Sequence, residues 1–273
     1  MILRCGLIGE NIGASRLHRA LDLMGAAHGV EVAFTAIDTA GDPDFDFDAT
    51  VDELRLLGWT GVTVTHPWKT HAAAWAGSAM VPGCERLGAA NTLTFAPPAG
   101  HNTDYTGFLA AWDHEMAGRA PGAVAVAGAG GVARAVLPAL IARGADPMTV
   151  WDLDRAAALA LAAATGATAV DPRDAADAIR AADGLVNCTP LGMAAHPGSA
   201  FPAEAIGPQG WAFDAVYTPT ETAFLRDARK AGLAILTGFD LFRHMAIRSF
   251  AAYTGITPDP APTLAALAAL RPD

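Results

Sequence analysis

At 273 residues the chain is long for one core and fits two domains, and its 52% hydrophobic and 17% charged content describes a well-buried globular protein, not a disordered one. A net charge of -10 with no basic stripe argues against a nucleic-acid surface and reads mainly as solubility. No apolar run reaches the ~18 residues of a membrane span, the N-terminus lacks signal-peptide features, and the widely spaced Cys5, Cys84 and Cys188 read as free thiols. The expectation is a cytoplasmic protein with no membrane, nucleic-acid or metal partner.

In chain order, residues 3–8 form an apolar strand ending at Gly9, and 16–28 a helix with Leu17, Leu21, Met24 and Ala27 on one face. Glu31–Asp38 is a second strand, Gly41–Phe47 a loop, and 49–58 a helix ended by Gly58. The aspartates at 42, 44, 46 and 48 lack the sixth-position glycine and closing glutamate of a calcium loop. Gly61–Thr65 is a third strand, and Pro67 fits the first turn of a helix carrying Lys69. Ala90–Phe95 is another strand and Pro97–Gly100 a turn, and Asp104 or Thr106 caps a helix over 106–118. Gly118–Gly122 is an interdomain joint. From Ala123 onward, strands at 124–127, 148–152, 167–170, 184–189, 211–216 and 233–237 alternate with helices, implying a parallel sheet covered on both faces. Helices 239–254 and 262–270 close the chain.

Two stretches carry chemistry. Only Lys69 and Lys230 are lysine among 18 basic residues, so a lysine at position 69 suggests a task that arginine, which does not lose its proton, cannot perform. The strand at 124–127 feeds Gly128-Ala129-Gly130-Gly131-Val132 and then a helix, the context of a pyrophosphate-binding turn. Ala133 stands where a third glycine often sits. Asp152, at the end of the next strand, is placed to accept from both hydroxyls of an adenosine ribose and to repel a 2′-phosphate. Asp154 suits a helix cap. NAD is therefore expected over NADP, with Arg155 nearby as the residue through which NADP is still accommodated, less favourably.

These motifs, in order, resemble the shikimate/quinate dehydrogenase family over nearly the full length. They are Gly6-Leu-Ile-Gly9 with Ser15-Arg16, Val64-Thr65-His66-Pro67-Trp68-Lys69, Gly88-Ala-Ala-Asn91-Thr92, Asn102-Thr-Asp104, the glycine turn, Asn187-Cys-Thr-Pro-Leu-Gly-Met193, Asp214-Ala-Val-Tyr217 and Gly238. The resemblance implies an α/β fold with a substrate domain over 1–110, completed by 240–273, and a Rossmann-like NAD(P) domain over 111–239. It implies Lys69 and Asp104 as the catalytic pair, with Ser15, Thr65, Asn91, Tyr217 and the Met245 position around a small hydroxy-acid substrate. Gly128, Ala129, Gly130, Gly131, Val132, Asp152, Asp154, Thr189, Ala215 and Gly238 would meet the cofactor. The family includes monomers and homodimers.

Three departures fall among the substrate positions. Ser15-Arg16 runs into Leu17-His18 with no second hydroxyl or proline, Thr63 stands for an asparagine, and Met245 for a glutamine. Each lost partner for a substrate hydroxyl costs ~1–3 kcal/mol. Arg16 and His18 offer an alternative carboxylate grip. The alternatives are a relative acting on another hydroxy acid, or a nucleotide-binding regulator without turnover.

Overall fold

The structure, a computed structural model, describes residues 1–272. It divides into two compact units. One is Met1–Gly107 with Arg243–Leu270, and the other is Phe108–Phe242 with the chain end from Arg271.

The first unit holds a five-stranded sheet in the order β2-β1-β3-β4-β5, formed by β1 (Ile2–Gly9), β2 (Glu31–Asp38), β3 (Gly61–Val64), β4 (Thr92–Phe95) and β5 (Pro98–His101). The first three strands are parallel, β4 runs antiparallel to β3, and β5 runs antiparallel to β4. Leu3, Cys5, Leu7 and Ile8 are buried because β1 lies between two strands, whereas edge strand β2 is largely exposed. Helices α1 (Leu17–His28), α2 (Phe47–Leu56) and α3 (Lys69–Ala76) follow in turn.

Three expectations need correction here. Residues 98–101 form a strand, not a turn, pairing Phe95 with Pro98 and Thr92 with His101. Proline is tolerated there because β5 is an edge strand, where a missing N–H leaves no ladder partner unpaired. Pro67 lies one turn ahead of α3, after a cis His66–Pro67 bond, and α3 opens at Lys69 itself. Helix α4 spans Thr103–Glu115, not 106–118, because Asn102 Oδ1 accepts from the Tyr105 N–H at 2.9 Å and starts the helix early.

The second unit is a six-stranded, wholly parallel sheet in the order β11-β10-β9-β6-β7-β8, formed by β6 (Val124–Ala127), β7 (Met148–Trp151), β8 (Thr168–Ala169), β9 (Gly184–Asn187), β10 (Trp211–Asp214) and β11 (Ala234–Thr237). Its helices are α5 (Ala133–Ala142), α6 (Arg155–Thr165), α7 (Ala175–Ala181) and α8 (Ala223–Lys230). Strand order reverses between β6 and β9, the switch point beside which doubly wound sheets bind ligands. The chain closes with α9 (Gly238–Thr254) and α10 (Pro260–Leu267). None of the described helices is long and apolar enough to cross a membrane.

Gly184 lies against the Trp211 indole, whose Nε1–H donates to Pro121 O at 2.9 Å. A methyl at Gly184 would overlap that anchored ring, so Gly184→Ala is expected to cost about 1–3 kcal/mol. The readout is a lower urea midpoint, with Gly207→Ala, whose surroundings are open, as the unchanged control.

Candidate functional site

In the first unit, Lys69 Nζ donates to Asp104 Oδ2 at 2.6 Å, with both side chains 13% exposed. Asp104 lies in the first turn of α4, where the helix dipole favours a carboxylate. Lys69 lies at the start of α3, where the dipole disfavours a cation, so the aspartate offsets that position.

Short-range hydrogen bonds bring these distant residues together. Ala90 N–H donates to Lys69 O at 2.9 Å, and Asn102 Nδ2 donates to Ala89 O at 2.9 Å. Asn91 N–H donates to His101 O at 3.0 Å, and Val64 N–H to Asn91 O at 2.8 Å. The segment carrying Asn91 is thus fastened to β3, to the start of α3 and to the start of α4.

The Asn91 amide has one orientation. Its Oδ1 accepts from Thr103 N–H at 2.6 Å, a group that only donates, and from the Thr103 hydroxyl at 3.0 Å. The hydroxyls of Thr92, Thr103 and Ser249 bond one another behind it, with Ser249 arriving from α9. Asn91 Nδ2 has no partner among the described residues. The side chain therefore presents donors only, and a ligand group there must offer an acceptor. Burial pushes the His101 imidazole below its usual pKa, so it carries no charge at neutral pH.

The remaining substrate-side residues are placed as follows. Gly9 has no room for a Cβ because the Thr65 side chain and the His66 carbonyl occupy the space, and Thr65 N–H donates to Ile8 O at 2.9 Å. Ser15 Oγ accepts from Leu17 N–H at 3.3 Å. Met245 backs onto Gly107, and its sulfur is 3.6 Å from Ser249 Oγ. Tyr217 belongs to the second unit and stacks on Phe242 at 5.5 Å.

One expectation changes. The Thr63 hydroxyl is buried and 2.6 Å from the Tyr253 hydroxyl, so this departure is a core pairing of β3 with α9 and not a lost ligand contact. Arg16 and His18 each have partners within the first unit. Arg16 Nε donates to Leu270 O at 2.8 Å, while His18 stacks on Phe34 and lies 3.3 Å from Asp22.

In the second unit, Gly128 has φ +97, and a Cβ there would stand 2.7 Å from the Cys188 carbonyl carbon. Only glycine lets β6 and β9 approach this closely at the switch point. Ala129 is buried, Gly130 and Gly131 are exposed, and nothing lies within 4 Å of a Cβ built at Gly130. Val132 leads into α5, whose N-terminus carries no side-chain cap and whose dipole suits an anion. Ala133 is fully buried, so the helix packs with a methyl where the motif often has glycine.

Asp152 has a task within the fold that the sequence did not announce. Its Oδ2 accepts from Ala129 N–H at 2.7 Å and its Oδ1 from Asp154 N–H at 2.8 Å, tying the glycine turn to the end of β7. Each oxygen keeps a lone pair for a further donor. Asp154 caps α6 by accepting from Ala156 and Ala157. Thr189 donates through N–H and hydroxyl to Asn187 Oδ1, at 3.0 and 2.6 Å. Gly238 has no space for a Cβ because the Ala215 carbonyl abuts it.

Residues 7–93 match the family model for the shikimate dehydrogenase substrate binding domain. The chain is 38% identical to a quinate/shikimate dehydrogenase (NAD(+)) of Corynebacterium efficiens, covering 93% of each chain. It is 37% identical to a shikimate dehydrogenase (NADP(+)) of Streptomyces avermitilis, covering 97% of this chain and 94% of that one. The chain belongs to the shikimate/quinate dehydrogenase family. Among solved structures, quinate dehydrogenase from Corynebacterium glutamicum in complex with NAD superposes with a TM-score of 0.90 at 34% identity, over 98% of this chain and 99% of that one. Shikimate 5-dehydrogenase from Thermus thermophilus in complex with NADP(H) and shikimate gives 0.85 at 32%, over 98% and 99%.

Several residues of this family member, some of them within the quoted motifs, carry interactions to which the sequence assigned no role. Asn102 and Thr103 flank Asp104 and were available as polar neighbours, and Ser249 lies one turn beyond Met245 on the same helix. Asn187, Asp214 and Thr222 form a buried polar group whose partners are distant in sequence.

Burial pushes the Asp214 carboxyl up to about 6, only partly opposed by its hydrogen bonds from Thr222, Val216 and Asn187. A raised folded-state pKa means that the native state holds the proton more tightly than the unfolded chain, so stability is lost as pH rises from about 4 through about 6. Asp214→Asn, which cannot ionise, is expected to gain on the native protein across that window by up to about 3 kcal/mol. Urea unfolding of both proteins at pH 4.5 and pH 8 measures the gain.

Proposed function

We propose that this member of the family is an NAD-preferring dehydrogenase that reversibly oxidises a ring hydroxyl of shikimate or quinate, with 3-dehydroshikimate or 3-dehydroquinate as the keto form. The observation that carries the reading is the 2.6 Å Lys69–Asp104 pair beside an asparagine that offers only donors. Asp104 accepts from the reacting hydroxyl and holds the lysine, and Asn91 donates to a ring oxygen. In its deprotonated form the Lys69 amine takes the hydroxyl proton, becoming the ammonium that Asp104 holds, as the carbon gives up its hydride. In the reverse direction the Lys69 ammonium returns that proton to the carbonyl oxygen. Thr65, Ser15 and Met245 complete the substrate surroundings in the first unit.

The residues of the second unit fit NAD. An open glycine pair at a helix N-terminus suits the pyrophosphate, and NAD, when bound, supplies the hydride acceptor. Asp152 has acceptors left for the ribose hydroxyls, and the next residue, Leu153, is 96% exposed and offers no cation to a 2′-phosphate. Thr189, Ala215 and Gly238 lie on the nicotinamide side. The single hydroxyl at Ser15 and the thioether at Met245 favour, as a second reading, a different hydroxy acid handled by the same Lys69–Asp104 chemistry.

Lys69→Ala is expected to lower kcat by about 10²–10⁴ with cofactor affinity unchanged. Steady-state kinetics alongside cofactor titration check this, and equal turnover in the variant rules out the proton-transfer role. Asp152→Ser is expected to move the NAD/NADP ratio of kcat/KM toward NADP, and an unmoved ratio removes the ribose assignment.

A further inference from the structure

Asp214 is the last residue of β10, fully buried and outside the proton-transfer chemistry. Its Oδ1 accepts from Val216 N–H at 3.0 Å and from Asn187 Nδ2 at 2.9 Å. Its Oδ2 accepts from the Thr222 hydroxyl at 2.6 Å, and that hydroxyl oxygen caps α8 by accepting from Leu225 N–H at 3.2 Å. Asn187 is its register partner on β9.

A carboxylate only accepts, so it turns the Asn187 NH2 group inward and fixes the amide. The Asn187 carbonyl then receives both donors of Thr189, and its second N–H goes to Leu191 O at 3.0 Å. Thr189 Oγ1 in turn accepts from Leu191 N–H at 3.1 Å. Gly192, at φ +108, rests on the same group, and a Cβ there would stand 3.0 Å from Thr222 Cγ2. One carboxylate thus shapes the segment 188–193 after β9 and the start of the segment after β10, both at the C-terminal edge of the parallel sheet, where such folds bind their ligands.

We propose that Asp214, acting through Asn187, is a positioning residue for the cofactor: it sets the shape of the two segments, carrying Thr189 and Ala215, that receive the nicotinamide end. This rests on the reading of the second unit as the NAD site. Asp214→Ala strands three donors, whereas Asp214→Asn keeps an acceptor for Asn187 and Val216 and turns an NH2 toward the Thr222 oxygen.

The test is NAD and NADP titration of the whole protein, with steady-state kinetics and hydrogen exchange of the 188–193 amides. Asp214→Ala is expected to weaken NAD binding by about tenfold or more, with faster exchange over 188–193. The KM for the hydroxy acid should stay within about twofold. Asp214→Asn is expected to recover most of the affinity. Asn187→Ala should match Asp214→Ala, and the double variant should be no worse, because the two act as one unit. Asn187→Ala carries the test if Asp214→Ala does not fold. Folded variants that bind NAD as the native protein does overturn the proposal alone. A native protein that binds neither NAD nor NADP overturns it together with the reading beneath it.

Discussion

The first unit is organised around an ion pair between residues 35 positions apart, held at 2.6 Å and largely out of water. Desolvating a lysine and an aspartate is costly unless each satisfies the other, so the pair persists only where the backbone fixes both ends. Buried side-chain amides supply that fixing. Asn102 starts α4 and grips Ala89, while Asn91 grips Thr103, the residue before Asp104. The start of one helix is thereby locked against the segment that bonds the start of another. The same interactions that stabilise the fold fix the geometry of this pair before any ligand arrives.

The second unit meets a different constraint. A doubly wound parallel sheet must bring β6 and β9 together where their connections diverge, and Gly128 is the position where only a hydrogen fits. The turn that follows is pinned by Asp152 and left open at Gly130 and Gly131. Polar side chains at strand ends thus do the same work in both units. Each consumes backbone donors that would otherwise be unpaired.

Much of this was legible in the sequence, for identifiable reasons. The βα rhythm after Ala123 and the glycine turn follow from local periodicity and backbone freedom, which a sequence displays directly. Strand β5 was read as a turn because proline dominated the local signal, while the edge position that tolerates it is a tertiary fact. The start of α4 was misplaced because three polar residues in a row can each cap a helix, and only packing selects Asn102. Thr63 looked like a lost ligand contact until Tyr253, 190 positions away, emerged as its partner. The buried clusters around Asn91 and Asp214 were invisible as clusters, since hydrogen bonds between distant residues leave no spacing pattern.

The central claim is that these residues oxidise a ring hydroxyl and pass its hydride to a nicotinamide. The most direct measurement is the appearance of reduced-nicotinamide absorbance when purified protein is mixed with shikimate or quinate at mildly alkaline pH, with NAD and NADP compared. The account predicts turnover of at least one of the two acids, faster with NAD than with NADP. No absorbance change with either acid and either cofactor, from protein that is folded and binds NAD, would contradict the assigned substrate class.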